Sequence, residues 1–205
     1  MADSLHRIVL TGGPCAGKTT ALAKLTDRLN SLGYKVFRVP EAATILIQGG
    51  VRPANIHSIE FQSTVMHLQM GLEDAISRVA QGQPGRAVML CDRGLMDSAA
   101  YVDQTTFPLI LDQNKWSRVG IRDERYDAVV HLVTAAMGAG AFYTTANNSA
   151  RTESPEKAIE LDALTQCAWV GHPHVRVIDN STEFSEKITR AMEAIARVLG
   201  IPEPV

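Results

Sequence analysis

Aromatic residues are scarce, at 5% of the chain, and the basic residues are scattered along a sequence of formal charge -2. There is therefore neither the cationic stripe that grips a duplex nor a polybasic face for an anionic membrane, and small-molecule partners are expected in place of nucleic acid. Cysteine is sparse too: Cys15, Cys91 and Cys167 are an odd set without a C-x-x-C pair. That argues against a disulfide framework or a zinc site and fits a reducing compartment. The longest apolar stretch, Val129 to Phe142, is interrupted by glycine and too short to span a bilayer, and the opening MADSLHR has no apolar signal core. A cytoplasmic protein without membrane insertion is the expectation. Repeats, low-complexity tracts and Pro-, Gly- or Ser-rich linkers are missing as well, so the 205 residues are read as one domain, 1–205.

What is present is an alternation of short apolar runs with longer segments of helical period. Ile8, Val9 and Leu10 run into a Gly-rich turn, as a strand covered on both faces does. Leu22, Leu25, Leu29 and Leu32 then recur at helical spacing until Gly33, and Tyr34 to Val39 returns to a strand pattern. A long helix is predicted over about 56–81, with Ile59, Val65, Leu68, Leu72, Ile76 and Val79 on its apolar face. Further strands are predicted at Ala87 to Cys91, Ala128 to Val133 and Val175 to Ile178, with one short helix between the third and fourth. Another helix should start near Ser154-Pro155, and Phe184, Ile188, Ala191, Ile195 and Leu199 should line one face of a closing helix. The fold class is α/β: a P-loop, kinase-like three-layer sandwich around a five-stranded parallel sheet.

Gly12-Gly13-Pro14-Cys15-Ala16-Gly17-Lys18-Thr19 fits G-x-x-x-x-G-K-[ST], with the required strand before it and helix after it. The glycines let backbone N–H groups turn inward around phosphate oxygens, and the positive end of the following helix faces the anion. Lys18 would reach the β- and γ-phosphates of bound ATP or GTP, and the Thr19 hydroxyl would coordinate magnesium. Thr20 completes this nucleotide-binding set.

Five further residues are candidates, each with an ordinary alternative. Asp92 ends an apolar run, where a strand delivers a carboxylate toward magnesium; a strand-end turn cap is the other reading. Arg93 follows as a clamp for a phosphate oxygen, or as one half of a surface ion pair. Glu41, after the second strand, could accept the proton of an attacking hydroxyl or simply start a helix. Arg151 stands before a helix where a lid could carry it onto the triphosphate, or is a solvated loop charge. Asn180, in Asp179-Asn180-Ser181, could touch the nucleotide base or cap the last helix. His131 is expected in the core, and no metal beyond nucleotide-bound magnesium is assigned. The wall of an acceptor pocket is sought in 49–53 and in Glu60, Gln62, His67 and Gln69.

Together the segments TGGPCAGKTT, VPEAAT with ILIQGG, CDRGLMDSAAY, ARTESPEKAIELD and NSTEFSEKITRAMEAI resemble the AAA-labelled P-loop module of the NadR-type nicotinamide riboside kinases and of the related TRPL translocation-defect proteins. The resemblance spans nearly the whole chain. It implies a kinase-like sheet of five parallel strands, Asp92 as the magnesium-side acid and Arg151 as a lid residue. From the wider nucleoside and nucleotide kinases it brings Glu41 as base and Arg93 as phosphate clamp. Neither the phosphoinositide-binding domain of the translocation-defect proteins nor the adenylyltransferase half of NadR is in the sequence, so lipid binding is not carried over.

Two functions follow: a kinase acting on a small metabolite such as a nucleoside, ribosylnicotinamide or nucleotide, and a GTP- or ATP-dependent switch acting through a protein partner. Asn114-Lys115-Trp116-Ser117 lacks the Asp of an N-K-x-D guanine signature, and no D-x-x-G begins at Asp92, which weighs against an ordinary small GTPase. A remodelling ATPase is weaker still, since no helical lid domain or sensor arginine is evident.

Overall fold

The structure, a computed structural model, describes residues 5–138 and 154–202. Five strands form one sheet: β1 (Leu5–Thr11), β2 (Lys35–Val39), β3 (Ala87–Asp92), β4 (Ala128–Leu132) and β5 (Val175–Ile178), in the order β2-β3-β1-β4-β5. All four pairings are parallel. Seven α-helices are described: α1 (Lys18–Ser31), α2 (Ala42–Gln48), α3 (Ser58–Gln81), α4 (Thr106–Gln113), α5 (Arg118–Arg122), α6 (Pro155–Ala168) and α7 (Phe184–Leu199).

The apolar strand runs read as they do because both faces of the sheet are covered. Successive residues of β1 divide between two cores. Ile8 and Leu10 pack with Leu22, Leu25, Leu29, Ile188 and Ile195 of α1 and α7. Val9 packs on the other side with Met66 of α3, Phe107 and Ile110 of α4, and Trp169 beyond α6. The result is the expected three-layer sandwich.

Register then places chemistry at one edge. Leu10 pairs with Asp92 and Thr11 with His131, so the C-terminal ends of β3 and β4 flank the start of the loop that leaves β1. In an open parallel sheet this is the crevice where ligands bind, next to the point where strand order reverses.

Several local expectations need correction. Leu32 is a C-cap and 39% exposed, and Phe184, at the first turn of α7, is 37% exposed. Between β3 and β4 lie α4, α5 and a 3₁₀ helix (Leu95–Tyr101), where one short helix was predicted. The largest difference concerns α3: Val79 is 57% exposed, while the buried stripe holds Phe61, Gln62, Met66, Gln69, Glu73, Ser77 and Ala80. Polar residues can occupy that stripe because they find partners there. Gln69 Nε2 donates to Glu73 Oε1 at 3.0 Å, Arg125 Nε donates to Glu73 Oε2 at 2.5 Å, and Tyr126 Oη donates to Glu73 Oε1 at 2.9 Å.

Candidate active site

The loop from Gly12 to Lys18 is shaped by close approach and left-handed backbone. A Cβ on Gly12 would lie 2.0 Å from the Leu132 carbonyl oxygen, and Gly17 has φ 82°, with the Phe184 ring 2.6 Å from where its Cβ would be. No other residue type fits either place without a shift of backbone or ring. Cys15, at φ 57°, shares the left-handed conformation. The helix α1 then starts at Lys18, so its first N–H groups, without intrahelical acceptors, face the loop. Lys18 is buried and its Nζ donates to the carbonyls of Gly12 and Gly13, both at 3.0 Å. The ammonium thus already lies over the loop, where phosphates would meet it. Thr19 and Thr20 are exposed on the first turn.

Glu41, Asp92 and Arg93 converge beside this loop. Arg93 Nε donates to Glu41 Oε1 at 2.6 Å, and its Nη1 donates to Asp97 Oδ2 at 3.3 Å and to the Gly12 carbonyl at 3.4 Å. Glu41 occupies the N-cap position of α2 but makes no cap hydrogen bond; its second oxygen accepts from Thr44 Oγ1 at 2.7 Å. Burial alone would push the Glu41 carboxyl up, yet the Arg93 guanidinium, with Lys18 and Thr44, draws it down to about 2. Burial works against the Arg93 charge too, but Tyr101, Glu41 and Asp97 hold its guanidinium firmly protonated. Arg93 itself has φ 72°, an uncommon conformation for a side-chain-bearing residue, fixed by Arg93 N donating to Leu10 O at 3.0 Å and Gln69 Nε2 donating to Arg93 O at 3.3 Å.

Asp92 is different. Its Oδ1 is buried and accepts no hydrogen bond, and burial pushes its carboxyl up in spite of nearby Lys18. An orphaned carboxylate oxygen of this kind is what a divalent cation or its bound water would satisfy.

These side chains border one cavity of about 720 Å³. Lys18, Thr19 and Asp92 lie on its lining, as do Glu41 and Arg93, together with Ile45, Ile47, Phe61, Val65 and Tyr101. Of the expected acceptor wall, Pro53, Gln62 and Gln69 line the cavity, whereas 49–52, Glu60 and His67 do not. Glu60 and His67 face solvent, His67 tilted against the Trp116 ring at 4.7 Å.

A family model described as AAA domain matches residues 7–187. The chain belongs to this AAA-domain family. No curated protein matches the sequence. Among solved structures, the deoxyadenosine kinase from M.mycoides with bound dATP is similar, at 17% identity and a TM-score of 0.60, over 93% of this chain and 98% of that one. The likeness is one of fold, a P-loop NTPase sandwich of the nucleoside-kinase kind.

Two candidates of this AAA-domain protein are not assigned to the cavity. Arg151 lies outside the described residues. Asn180 is not among the cavity lining and is not the cap of α7, whose N-cap residue is Glu183. Its Nδ2 donates to the carbonyls of Thr134 (2.8 Å) and Met137 (2.7 Å), and its Oδ1 accepts from Lys187 Nζ at 2.6 Å. The side chain ties the segment after β4 to α7.

Three residues not singled out from the sequence complete the site. Asp97, almost fully buried, accepts from Thr11 Oγ1 at 2.7 Å and from Trp169 Nε1 at 2.6 Å besides Arg93, and so anchors that guanidinium from behind. Its position four residues after Arg93 was the available signal. Thr134 and Asp162 hold the phosphate loop from outside: Thr134 Oγ1 donates to Pro14 O at 2.5 Å, and Asp162 Oδ1 accepts from Gly13 N at 2.7 Å. Nothing local in the sequence marks them. His131, fully buried as expected, lies with Nε2 3.2 Å from Asp162 Oδ2.

Proposed function

We propose that the protein is a small-molecule kinase that transfers the γ-phosphoryl group of a nucleoside triphosphate to a hydroxyl of an uncharged, nucleoside-like acceptor. The observation that carries this reading is that one cavity is bordered by Lys18, Thr19 and Asp92, by the paired Glu41 and Arg93, and by apolar side chains such as Ile45, Ile47, Phe61 and Val65. A hydrolase or switch needs no such apolar lining.

The charges argue for the acceptor class. The charged lining residues are Lys18, Glu41, Asp92, Arg93 and Asp97, and the rest of the lining is apolar apart from hydroxyls such as those of Ser58 and Tyr101 and the amides of Gln48, Gln62 and Gln69. That suits a flat, neutral, hydrogen-bonding group. A monophosphate acceptor would want a further cation in the cavity, and a cationic ring such as that of ribosylnicotinamide would want a further carboxylate.

Phosphoryl transfer is mainly positioning and charge stabilisation. In the proposed step the acceptor oxygen forms a bond to the γ-phosphorus as the bond to the β–γ bridging oxygen breaks, leaving a nucleoside diphosphate. Glu41, ionised at neutral pH, accepts the hydroxyl proton. Its low pKa makes it a weak base, which suffices if the proton leaves late in a loose transition state. Arg93 shares its guanidinium between Glu41 and the moving phosphoryl oxygens, and Lys18 follows the charge to the leaving phosphate. Among the described residues no three or more His, Cys, Asp or Glu come together as metal ligands. The residues present fit magnesium held largely by the phosphates, with Thr19 and Asp92 as the protein's contribution, and magnesium would neutralise charge on the β- and γ-oxygens. Arg151, and Asn180 toward the nucleotide base, remain candidates for contact with the nucleotide. ATP or GTP serves equally well as donor in this scheme.

The test is diphosphate formation from ATP or GTP with magnesium, with and without nucleosides, nicotinamide riboside or nucleoside monophosphates. Turnover that requires a neutral nucleoside and disappears in Lys18→Ala is the expected result. Tight nucleotide binding with no acceptor-dependent turnover across that panel would overturn the kinase reading and favour a switch with a protein partner.

A further inference from the structure

A phosphate-binding loop works only if its N–H groups point inward, which forces its carbonyls outward and leaves them in need of donors. In this protein the carbonyls of Pro14 and Cys15 are met from behind, and the first N–H of the loop, that of Gly13, is also turned away from the phosphate site and held there. Thr134 Oγ1 donates to Pro14 O at 2.5 Å, and Ala135 N donates to Cys15 O at 3.3 Å. Asp162, on α6, accepts from Gly13 N at 2.7 Å and from Thr134 N at 3.0 Å through the same oxygen, Oδ1. Its other oxygen lies 3.2 Å from His131 Nε2. Thr134, His131 and Asp162 are all buried, the first two fully.

The loop has been shaped around this contact. A Cβ on Gly13 would come within 2.8 Å of both Cβ and Oδ1 of Asp162, so Gly13 admits the carboxylate where any other residue would displace it. One buried oxygen thereby binds Gly13 at the start of the loop and Thr134, which itself holds the next carbonyl along.

We propose that Asp162 and Thr134 are positioning residues that brace the phosphate-binding loop from behind and set its N–H groups for the β- and γ-phosphates, without touching the nucleotide. The inference rests on the loop's binding of nucleotide, and holds whether the bound nucleotide is then turned over or not. A brace that preorganises the loop matters for phosphates gripped by the loop and little for the rest of the nucleotide. Truncation should therefore weaken binding selectively by phosphate count.

The experiment is calorimetric titration of the full chain with ATP, ADP and AMP in magnesium, for the unaltered protein, Asp162→Ala, Asp162→Asn and Thr134→Val, with the thermal midpoint of each recorded. In Asp162→Ala the affinities for ATP and ADP are expected to fall at least about tenfold while that for AMP changes less than about threefold, a loss readily resolved from its free-energy equivalent. Asp162→Asn, which keeps an oxygen acceptor for the two N–H groups, should recover most of the preference for ATP. Thr134→Val, which removes the bond to Pro14 and the long one from Ala136 N at 3.4 Å but keeps Thr134 N on Asp162, should show a smaller loss of the same selective kind. A lowered thermal midpoint with the ATP-to-AMP affinity ratio unchanged in Asp162→Ala would make the residue a structural support alone and overturn the proposal. Should Asp162→Ala not fold, an unchanged ratio in Thr134→Val overturns it in the same way. If the unaltered protein did not prefer ATP to AMP, the nucleotide-binding reading itself would fall; equal ratios in protein and variants, with that preference present, would remove only the brace.

Discussion

At the scale of single residues, Glu41 shows how an environment assigns a role. The same carboxylate that could have capped α2 faces Arg93 and Thr44, and its charge is held by them. Glu41→Gln keeps the shape and removes the charge, so acceptor-dependent turnover should fall by about 10²- to 10⁴-fold with little change in nucleotide affinity, measured as kcat against the Kd for ATP. An equal loss of both would show that Glu41 shapes the nucleotide site instead. The pH dependence has a definite sign. Because the folded carboxyl lies at about 2, below its ordinary 4.5, its ionised form stabilises the fold above pH 4.5, and that contribution is lost as pH falls from 4.5 toward 2. Denaturation of the two proteins should show a gap at pH 6 that narrows across this window. A gap that widens on acidification would contradict the pairing with Arg93.

At the scale of elements, α3 carries a polar seam where an apolar one was predicted. Glu73, fully buried, takes hydrogen bonds from Gln69, Arg125 and Tyr126, and Tyr126 Oη accepts from Leu95 N at 3.1 Å. Gln69 and Tyr126 thus link the helix to both ends of the Arg93 turn. Glu73→Ala removes the buried acceptor shared by Gln69, Arg125 and Tyr126, leaving Arg125 only its pair with Asp74 at 2.8 Å and its bond to Met70 O at 3.2 Å, and should destabilise the protein by about 3 kcal/mol, whereas Glu73→Leu combined with Arg125→Met should recover most of that loss. Urea denaturation of the three variants checks this; a double variant no better than Glu73→Ala would mean that the seam is held by more than its charges.

The seam also explains what was legible in the sequence. The strands, the phosphate loop and helices α1, α6 and α7 were readable, because apolar runs, Gly spacing and a Ser-Pro start act within a few residues. That Glu41, Asp92 and Arg93 lie near one another was readable because each stands at or just after the C-terminal end of a strand that had to meet the loop. Asp162 reaches Gly13 across 149 positions and Arg125 reaches Glu73 across 52, and nothing local records such partners. On α3, periodicity pointed to the apolar residues, whereas burial followed the available hydrogen-bond partners.

At the scale of the whole molecule, the phosphate loop joins both layers of the sandwich. Its glycines press on Leu132 of β4, on Asp162 of α6 and on Phe184 of α7. No helix among the described residues is long and apolar enough to cross a membrane. A ligand that binds only the folded loop stabilises the entire sheet by RT ln(1 + [L]/Kd), about 2.7 kcal/mol at a hundredfold excess over Kd. For a chain of this size each kcal/mol raises Tm by about 2–4 °C, so saturating ATP with magnesium should raise it by roughly 5–10 °C. Removing magnesium with a chelator should erase part of that rise, because Asp92 then loses the partner proposed for its orphaned oxygen and the phosphate charge is left unneutralised. Lys18→Ala should show almost no rise at all. A full shift in Lys18→Ala would place the nucleotide somewhere other than this loop, and a shift indifferent to the chelator would remove Thr19 and Asp92 from any role in holding magnesium.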